Sequence, residues 1–259
     1  MPEDRCYMCA KLATSREHVP PRSLFPESRD IPGANLRRDL ITVPSCDKHN
    51  TAKSHDDEFL MSAIGGGFGG NVVGFMHKLT KLSRAIERTK GLLVERVFKE
   101  KKDSVEFDTE SVRHTITWGT PDAERLVRCF NSIAFGLHYS HFGKRFKGRV
   151  KPHLTFLIQN DPTPRNFAAF VSHRAEIELR DKPKHGANPD VFYFQVTDKD
   201  EHGLFLMRLF FYGRIKVHIA FEPKGASRPF DLGMQLMNDG FTTVIELEGK
   251  EYIMNDPQA

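Results

Sequence analysis

Two pairs of metal-ligating residue types stand near the N-terminus. Cys6 and Cys9 form a C-x-x-C pair, and Cys46 and His49 form a C-x-x-H pair. Three thiolates and one imidazole can complete a tetrahedral Cys3His zinc site. Because four protein ligands leave no open coordination position, the spacing predicts a structural zinc that staples a loop-rich stretch with little core of its own.

A second set of chemically active residues lies between and after these pairs. Glu17 and His18 are adjacent, and Asn50 directly follows the second pair. Carboxylate and amide oxygens are hard ligands that suit Mg²⁺ or Mn²⁺. A histidine has an unperturbed pKa of about 6.5, so it can take a proton from water at neutral pH. These residue types are typical of metal-dependent hydrolysis of phosphodiesters.

The order of these motifs resembles the HNH endonuclease family. Glu17-His18 is followed by Val-Pro-Pro, a strand is expected next, and C-x-x-H then leads into Asn50 and Lys53. Over about residues 5–58 the chain is similar to the subgroup that combines the ββα-metal fold with a zinc knuckle. The resemblance implies that Glu17 and Asn50 are ligands of the catalytic Mg²⁺ or Mn²⁺ and that His18 is the general base. It also implies that Lys53 can meet a phosphate from the following helix.

The sequence departs from the family pattern in the middle of the motif. Members often place an Asn about nine residues before the last ligand, where it orients the catalytic loop, and here that position is Ile41. Asp39 or Asn35 could take this role after a small change in the loop. Asp56 and Asp57 are weaker candidates, either as groups just beyond the direct cation ligands or as acids that complement a helix dipole.

The elements that must position these residues follow from apolar spacing. A short apolar run at 39–44 predicts a strand, and Asp47 is a plausible first residue for a helix over roughly 47–64. The glycine-rich run at 65–70 ends that helix as a hinge or turn. Further helices are predicted over 72–88 and within 119–146, the latter with Thr120 as N-cap and Pro121 in its first position.

Beyond residue 150 the pattern changes to alternation and short apolar runs, which predict antiparallel strands. The predicted strand segments are 153–158, 166–173, 190–198, 203–223 and 241–254. The expected fold class is therefore α+β, with an N-terminal ββα-metal module that carries a zinc knuckle, a helical basic middle and a C-terminal antiparallel β region. The corresponding domain boundaries are 1–64, 65–151 and 152–259.

The net charge of +4 conceals a basic segment in the middle of the chain. Residues 72–151 carry 17 Lys and Arg against 9 Asp and Glu. Such a segment beside metal-type ligands suits a protein that grips a polyanion, although solvated helix faces have the same composition. The candidate nucleic-acid-binding residues are Lys78, Lys81, Arg84, Arg88, Lys144 and Arg145.

The cysteines, the start of the chain and the lengths of its apolar runs bear on the cellular location of the protein. Cys129 stands alone in an apolar stretch and is interpreted as a small buried hydrophobic residue. The charged start of the chain has no apolar signal segment, and no run reaches the ~18 apolar residues of a membrane helix. Together with cysteines spaced for a metal, these features lead us to expect a cytoplasmic protein outside the membrane.

Three functional hypotheses follow from the sequence. The first is a metal-dependent HNH endonuclease with nucleic acid as its partner, DNA being favoured over RNA. The second is a non-catalytic zinc-knuckle module that binds nucleic acid or protein. The third is a nuclease whose C-terminal sheet senses a ligand, a damaged base or a partner protein and keeps the N-terminal module inactive. The C-terminal region could also serve a homo-oligomer or a regulatory partner. Cation-dependent nicking of DNA distinguishes the first hypothesis from the second.

Overall fold

The computed structural model describes residues 5–51, 54–66, 70–109, 112–157, 162–227, 230–247 and 250–256. These residues form a mixture of helices and antiparallel sheets, in agreement with the predicted α+β class. Within the described ranges, no helix combines the length and the apolar character needed to cross a bilayer.

Two short strands and two helices follow one another through the motif region. Strand β1 pairs antiparallel with strand β2, and Glu17 of β1 lies opposite Val43 of β2. Helix α1 begins directly after Cys46, so the second ligand pair spans the junction between strand and helix. The bounds are β1 Ser15–His18, β2 Thr42–Ser45, α1 Asp47–Thr51 and α2 Ser54–Gly65.

Ion pairs hold the long loop between β1 and β2, which leads the chain away from His18. The Asp30 carboxylate is 1% exposed and pairs with Arg84 at 2.7 Å. Arg37 pairs with Glu27 at 3.2 Å and also donates from Nε to a backbone carbonyl of the loop. Charged groups thereby help to fix this loop.

The predicted helix over 72–88 is present, with a wider π-type turn in its middle. It consists of α3 (Val72–His77), the π turn (Lys78–Leu82) and α4 (Ser83–Arg88). The Asn71 side chain caps α3 by accepting a hydrogen bond from the Gly74 amide. A Cβ at Gly74 would lie 2.8 Å from the Cβ of Tyr212, so this close approach requires glycine.

The prediction of a helical middle is wrong for the segment after the short helix α5 (Leu92–Glu95). Strands β3 (Phe98–Thr109) and β4 (Val112–Pro121) form a two-stranded antiparallel sheet there. Because β4 runs through Pro121, the following helix α6 (Ala123–Phe142) takes its N-cap from Asp122, which accepts from the Arg125 amide, and not from Thr120.

The C-terminal strand predictions are correct in part. Strands are present within 190–198, 203–223 and 241–254, but residues 166–173 lie inside helix α7 (Pro162–Glu178). Among the described residues of the segment 153–158, which end at 157, only His153 belongs to a strand. The strand bounds are β5 Gly148–His153, β6 His185–Asn188, β7 Phe192–Val196, β8 Phe205–Phe211, β9 Ile215–Pro223, β10 Thr243–Leu247 and β11 Lys250–Met254.

The larger sheet has the strand order β5-β9-β8-β7-β6, and β10 pairs with β11 in a separate two-stranded sheet. Helix α8 (Phe230–Asn238), which the sequence patterns did not predict, precedes β10. The chain divides into two compact units. Unit 1 consists of 1–146, 184–194 and 209–215, and unit 2 consists of 147–183, 195–208 and 216–259. All of the predicted site residues fall in unit 1.

Candidate metal centre and adjacent cleft

The four predicted zinc ligands come together in a Cys3His cluster. The ligand atoms of Cys6, Cys9, Cys46 and His49 all lie within 4.8 Å of one another. All three cysteines are free thiols. Cys6 and Cys46 are buried, whereas Cys9 and His49 are half-exposed. The cluster predicted from the spacing is therefore confirmed as a group of side chains that could hold a metal ion such as zinc.

The distances within the cluster fit tetrahedral coordination. With a Zn–S bond of about 2.3 Å, the edge between two sulfurs of a tetrahedron is about 3.8 Å. The Sγ atoms of Cys9 and Cys46 are 3.8 Å apart, and Nδ1 of His49 lies 3.3 Å from the Sγ atoms of both Cys6 and Cys46. Burial raises the pKa of the Cys6 thiol, but hydrogen bonds from the surrounding backbone and from His49 outweigh it and leave the pKa at about 6. A thiolate is the form that binds a metal.

Backbone hydrogen bonds attach the cluster to the strand pair and to α1. The Cys6 amide donates to the Lys11 carbonyl at 2.9 Å and closes the first knuckle. The Tyr7 amide donates to the Pro44 carbonyl of β2 at 2.9 Å. The Asn50 amide donates to the Cys46 carbonyl at 3.0 Å and begins the helical ladder of α1. The ligands therefore sit on backbone that β2 and α1 hold in place.

A cleft opens beside the strand pair. Its walls are the end of β1 with the following loop, the first turns of α2 and the middle of α6. Its empty space, including the open mouth, is about 320 Å³. Its polar lining residues are Glu17, His18, Asp56, Asp57, Cys129 and Ser132.

Glu17 is a buried carboxylate at the end of β1. It is 8% exposed, and its Oε1 accepts a hydrogen bond from the Tyr7 hydroxyl at 3.3 Å. Tyr7 itself is completely buried. Burial raises the pKa of Tyr7, and the negative charges of Glu17 and Asp57 raise it further, so Tyr7 remains a hydrogen-bond donor. A carboxylate held in this way is oriented before any ligand arrives.

His18 follows Glu17 and is half-buried at the cleft. Burial lowers its pKa, and the positive charges of Arg22 and Arg37 lower it further, while Glu17 acts in the opposite direction. His18 is therefore neutral at neutral pH, the form that can accept a proton. Arg22 is exposed and lies directly after Pro21, which lines the cleft.

Asp56 and Asp57 face the cleft from α2 but have different surroundings. Asp56 Oδ1 accepts from Arg125 Nε at 2.8 Å, and the Arg125 guanidinium lies 4.2 Å from the centre of the Phe59 ring. Asp57 is close enough to Tyr7 to affect its pKa, and its backbone carbonyl accepts from the Ser23 hydroxyl at 3.1 Å. Asp56 is thus tied to α6, whereas Asp57 lies on the side of the buried carboxylate.

The structure places Asn50 away from the cleft lining. Its Nδ2 donates to the Ser15 hydroxyl at 2.9 Å, near the opposite end of β1 from His18. Lys53, predicted to meet a phosphate, lies outside the described residues.

The side chains offered for the middle motif position bond elsewhere. Asn35 Oδ1 accepts from the Arg37 amide, and Asp39 pairs with Arg38. A backbone bond from the Val19 amide to the Ile41 carbonyl, 2.9 Å long, instead joins the loop after His18 to the start of β2.

Contacts within the chain are seen at Lys81, Arg84 and Arg88, all of them predicted nucleic-acid-binding residues. Lys81 Nζ donates to a carbonyl of the β1–β2 loop at 2.9 Å, and burial lowers its pKa to about 8. Arg84 pairs with Asp30, and Arg88 pairs with Glu58 at 3.1 Å. These cations stabilise the fold of unit 1 and are only partly available to a ligand.

The other three differ in exposure. Burial lowers the pKa of Lys78. Lys144 is exposed and Arg145 is half-exposed, just after the end of α6. Arg84 and Arg88 are also exposed, but each is engaged by a carboxylate, so the pair at 144–145 is the next surface to test for phosphate binding.

Comparison with protein-family models, with curated proteins and with solved structures found no match for this chain.

Several residues that line the cleft or contact its lining carry no signal in the sequence. Tyr7 lies inside the first knuckle, where only the cysteine spacing stands out. Arg125 and Ser132 are at helical spacings on α6, more than 65 positions from the aspartates that they face. Cys129 is buried as predicted, at 7% exposure, and it also lines the cleft. Only the tertiary packing of α6 against α2 brings these side chains to the site.

Proposed function

We propose that this chain is a metal-dependent endonuclease of the HNH type, which hydrolyses phosphodiester bonds in nucleic acid, with DNA favoured over RNA. One observation carries the proposal. Glu17 and His18, at the end of a strand fixed beside a Cys3His cluster, face two aspartates across a cleft. A general base next to an oriented carboxylate, on a scaffold that a metal would hold rigid, is an arrangement suited to activating water.

The residues of the cleft fit a divalent cation by their chemistry. Carboxylate oxygens are the ligands that Mg²⁺ and Mn²⁺ prefer in proteins. When bound, such a cation would polarise the phosphate and stabilise the leaving oxygen. Glu17 would hold it, and neutral His18 would take the proton from the attacking water. The Cys3His cluster would hold zinc and keep β1, β2 and α1 together.

We assign the second ligand of the divalent cation to Asp57 and not to Asn50. Asp57 lines the cleft together with Glu17, whereas the side-chain Nδ2 of Asn50 donates to the Ser15 hydroxyl. Asp56 would act differently, because its bond to Arg125 ties α2 to α6. Glu17 of β1 and Asp57 of α2 would then hold the cation together.

We expect Asp57→Asn to weaken Mn²⁺ binding by roughly 10–100-fold, since it removes a negative ligand while keeping nearly the same shape. Asn50→Ala should have a smaller effect on Mn²⁺ affinity. Electron paramagnetic resonance of free Mn²⁺ measures both without reference to activity. Asp39→Asn, which neutralises an exposed acid, is the matched control. A larger loss for Asn50→Ala would return the second ligand to the position that the family resemblance implies.

A second prediction concerns binding to the phosphates of the nucleic-acid backbone. Replacing Lys144 and Arg145 together with Ala should weaken binding to unrelated DNA sequences and flatten its salt dependence by about one unit of slope per residue, because phosphate contacts release counterions. Fluorescence anisotropy at several salt concentrations measures the slope. Lys224→Ala, at an exposed lysine of unit 2, serves as the control.

Arg84→Ala tests whether Arg84 binds nucleic acid or stabilises the fold. It leaves the buried Asp30 carboxylate without its cation, so we expect the free energy of unfolding to fall by about 1–3 kcal/mol. If instead Arg84→Ala matches the double variant in salt slope and unfolds like the wild type, the binding surface follows α4 and not the end of α6.

The proposed activity is tested with DNA and RNA oligonucleotides and purified full-length protein. Cleavage should require added Mg²⁺ or Mn²⁺, stop on chelation and be faster for DNA. Tight binding of nucleic acid without cleavage under either cation would favour the non-catalytic zinc-knuckle module.

A further inference from the structure

Tyr7 connects the metal cluster to the cleft through its place in the chain and two hydrogen bonds. It follows the cluster residue Cys6 in the chain, its amide donates to Pro44 of β2, and its hydroxyl donates to Glu17 Oε1 at 3.3 Å. Its side chain has no exposed surface. A single rigid aromatic side chain therefore spans the distance from the knuckle to the buried carboxylate.

The chemistry of this contact favours an orienting role. A tyrosine hydroxyl can donate or accept, but beside two carboxylates only donation is favourable. A hydrogen bond to one oxygen of a carboxylate fixes the rotation of the whole group, because both oxygens lie in one plane. The orientation of Glu17 toward the cleft then depends on where the knuckle places Tyr7.

We propose, on the basis of the proposed nuclease function, that Tyr7 is a positioning residue that holds Glu17 in the orientation for a divalent cation and thereby couples the Cys3His cluster to the cleft. An apolar core residue would support the knuckle equally well but could not orient Glu17. The cation affinity of the cleft should thus depend on a hydroxyl that contacts neither the cation nor the substrate.

The test is Tyr7→Phe in the full-length protein, which removes the hydroxyl and keeps the ring. We expect zinc content to stay unchanged and Mn²⁺ affinity, followed by electron paramagnetic resonance, to fall roughly tenfold, as for the loss of one hydrogen bond to a charged group. Tyr139→Phe on α6 is the matched control and should leave Mn²⁺ affinity unchanged.

A double-mutant cycle with Glu17→Gln separates orientation from general damage. If Tyr7 acts through Glu17, Tyr7→Phe should cost Mn²⁺ affinity in the wild-type background and little in the Glu17→Gln background. Additive losses would contradict the proposal, because they would mean that the hydroxyl acts independently of Glu17.

Other outcomes distinguish this inference from the proposed function. If Mn²⁺ binds, Glu17→Gln weakens this binding and Tyr7→Phe has no effect, the coupling is wrong and the nuclease proposal stands. If the wild type binds no Mn²⁺, or binds it equally after Glu17→Gln, the proposed cation site is wrong as well.

A measurement on the wild-type protein covers the case in which Tyr7→Phe fails to fold. In a titration with diamagnetic Mg²⁺, the ring resonances of Tyr7 should shift in step with saturation of the cleft. Resonances of Tyr7 that stay fixed while the cleft saturates would overturn the coupling.

Discussion

Replacing His18 with alanine is expected to lower the rate of phosphodiester cleavage by roughly 10²–10⁴, the usual contribution of a positioned general base. Folding, zinc content and Mn²⁺ affinity should stay close to those of the wild type, because His18 is half-exposed and is not one of the proposed metal ligands. Single-turnover cleavage of a labelled DNA duplex measures the rate, and elemental analysis with thermal unfolding measures the rest.

His173→Ala is the matched control for this variant. His173 is an exposed histidine on α7, so its loss should change none of these quantities. A folded His18→Ala protein that cuts DNA as fast as the wild type would show that His18 is not the base. The non-catalytic binding module would then be the better account of the site.

Cys46→Ser is expected to remove about one zinc per chain and to destabilise the region of β1, β2 and α1. An incomplete thiolate set binds zinc poorly, and structural zinc supplies about 10 kcal/mol or more of folding free energy in small domains with little core. Elemental analysis and thermal unfolding, before and after treatment with a chelator, measure both effects.

Cys129→Ser separates zinc binding from the loss of any buried thiol. Cys129 is buried on α6 and belongs to the cleft lining, not to the cluster. The Cys129→Ser protein should therefore keep the zinc content of the wild type. A Cys46→Ser protein that also keeps its zinc and unfolds at the wild-type temperature would contradict a structural zinc in this cluster.

The ligand cluster was predictable from the sequence because its signal is local. A C-x-x-C or C-x-x-H spacing places two ligands on one tight turn, and only the joining of the two turns depends on tertiary structure. The same holds for the helix at 72–88 and for the hairpin over 203–223, where Tyr212 and Gly213 form the turn. Local periodicity and turn residues determine such elements.

The wrong predictions occur where packing overrides a local pattern. Residues 166–173 are rich in apolar side chains, which predicts a strand, but Val171 and Ala175 are buried at the four-residue spacing of helix α7, and the buried Leu179 continues that spacing just after it. Strands β3 and β4 were missed for the opposite reason. The many Lys, Glu and Asp residues of β3 have low strand propensity, and its pairing with β4 compensates for it.

The cleft could be predicted on one side only. Glu17 and His18 stand out as neighbours in the sequence, whereas Asp57 was only a weaker candidate. The contact between Tyr7 and Glu17 and the bond between Arg125 and Asp56 depend on side-chain directions in the folded chain. Ion pairs such as Arg84 with Asp30 likewise give a predicted binding residue a contact within the chain, which composition cannot reveal.

The most direct test of the central claim is nicking of supercoiled plasmid DNA by purified wild-type protein and by Glu17→Gln at equal zinc content. Attack by water with departure of the 3′-oxygen leaves a 5′-phosphate and a 3′-hydroxyl, which DNA ligase can reseal. We predict that the wild type produces resealable nicks only with Mg²⁺ or Mn²⁺ and that Glu17→Gln produces almost none. Nicking that is equal in the two proteins, or that is absent from the wild type with either cation, would contradict the assignment of this cleft as a nuclease site.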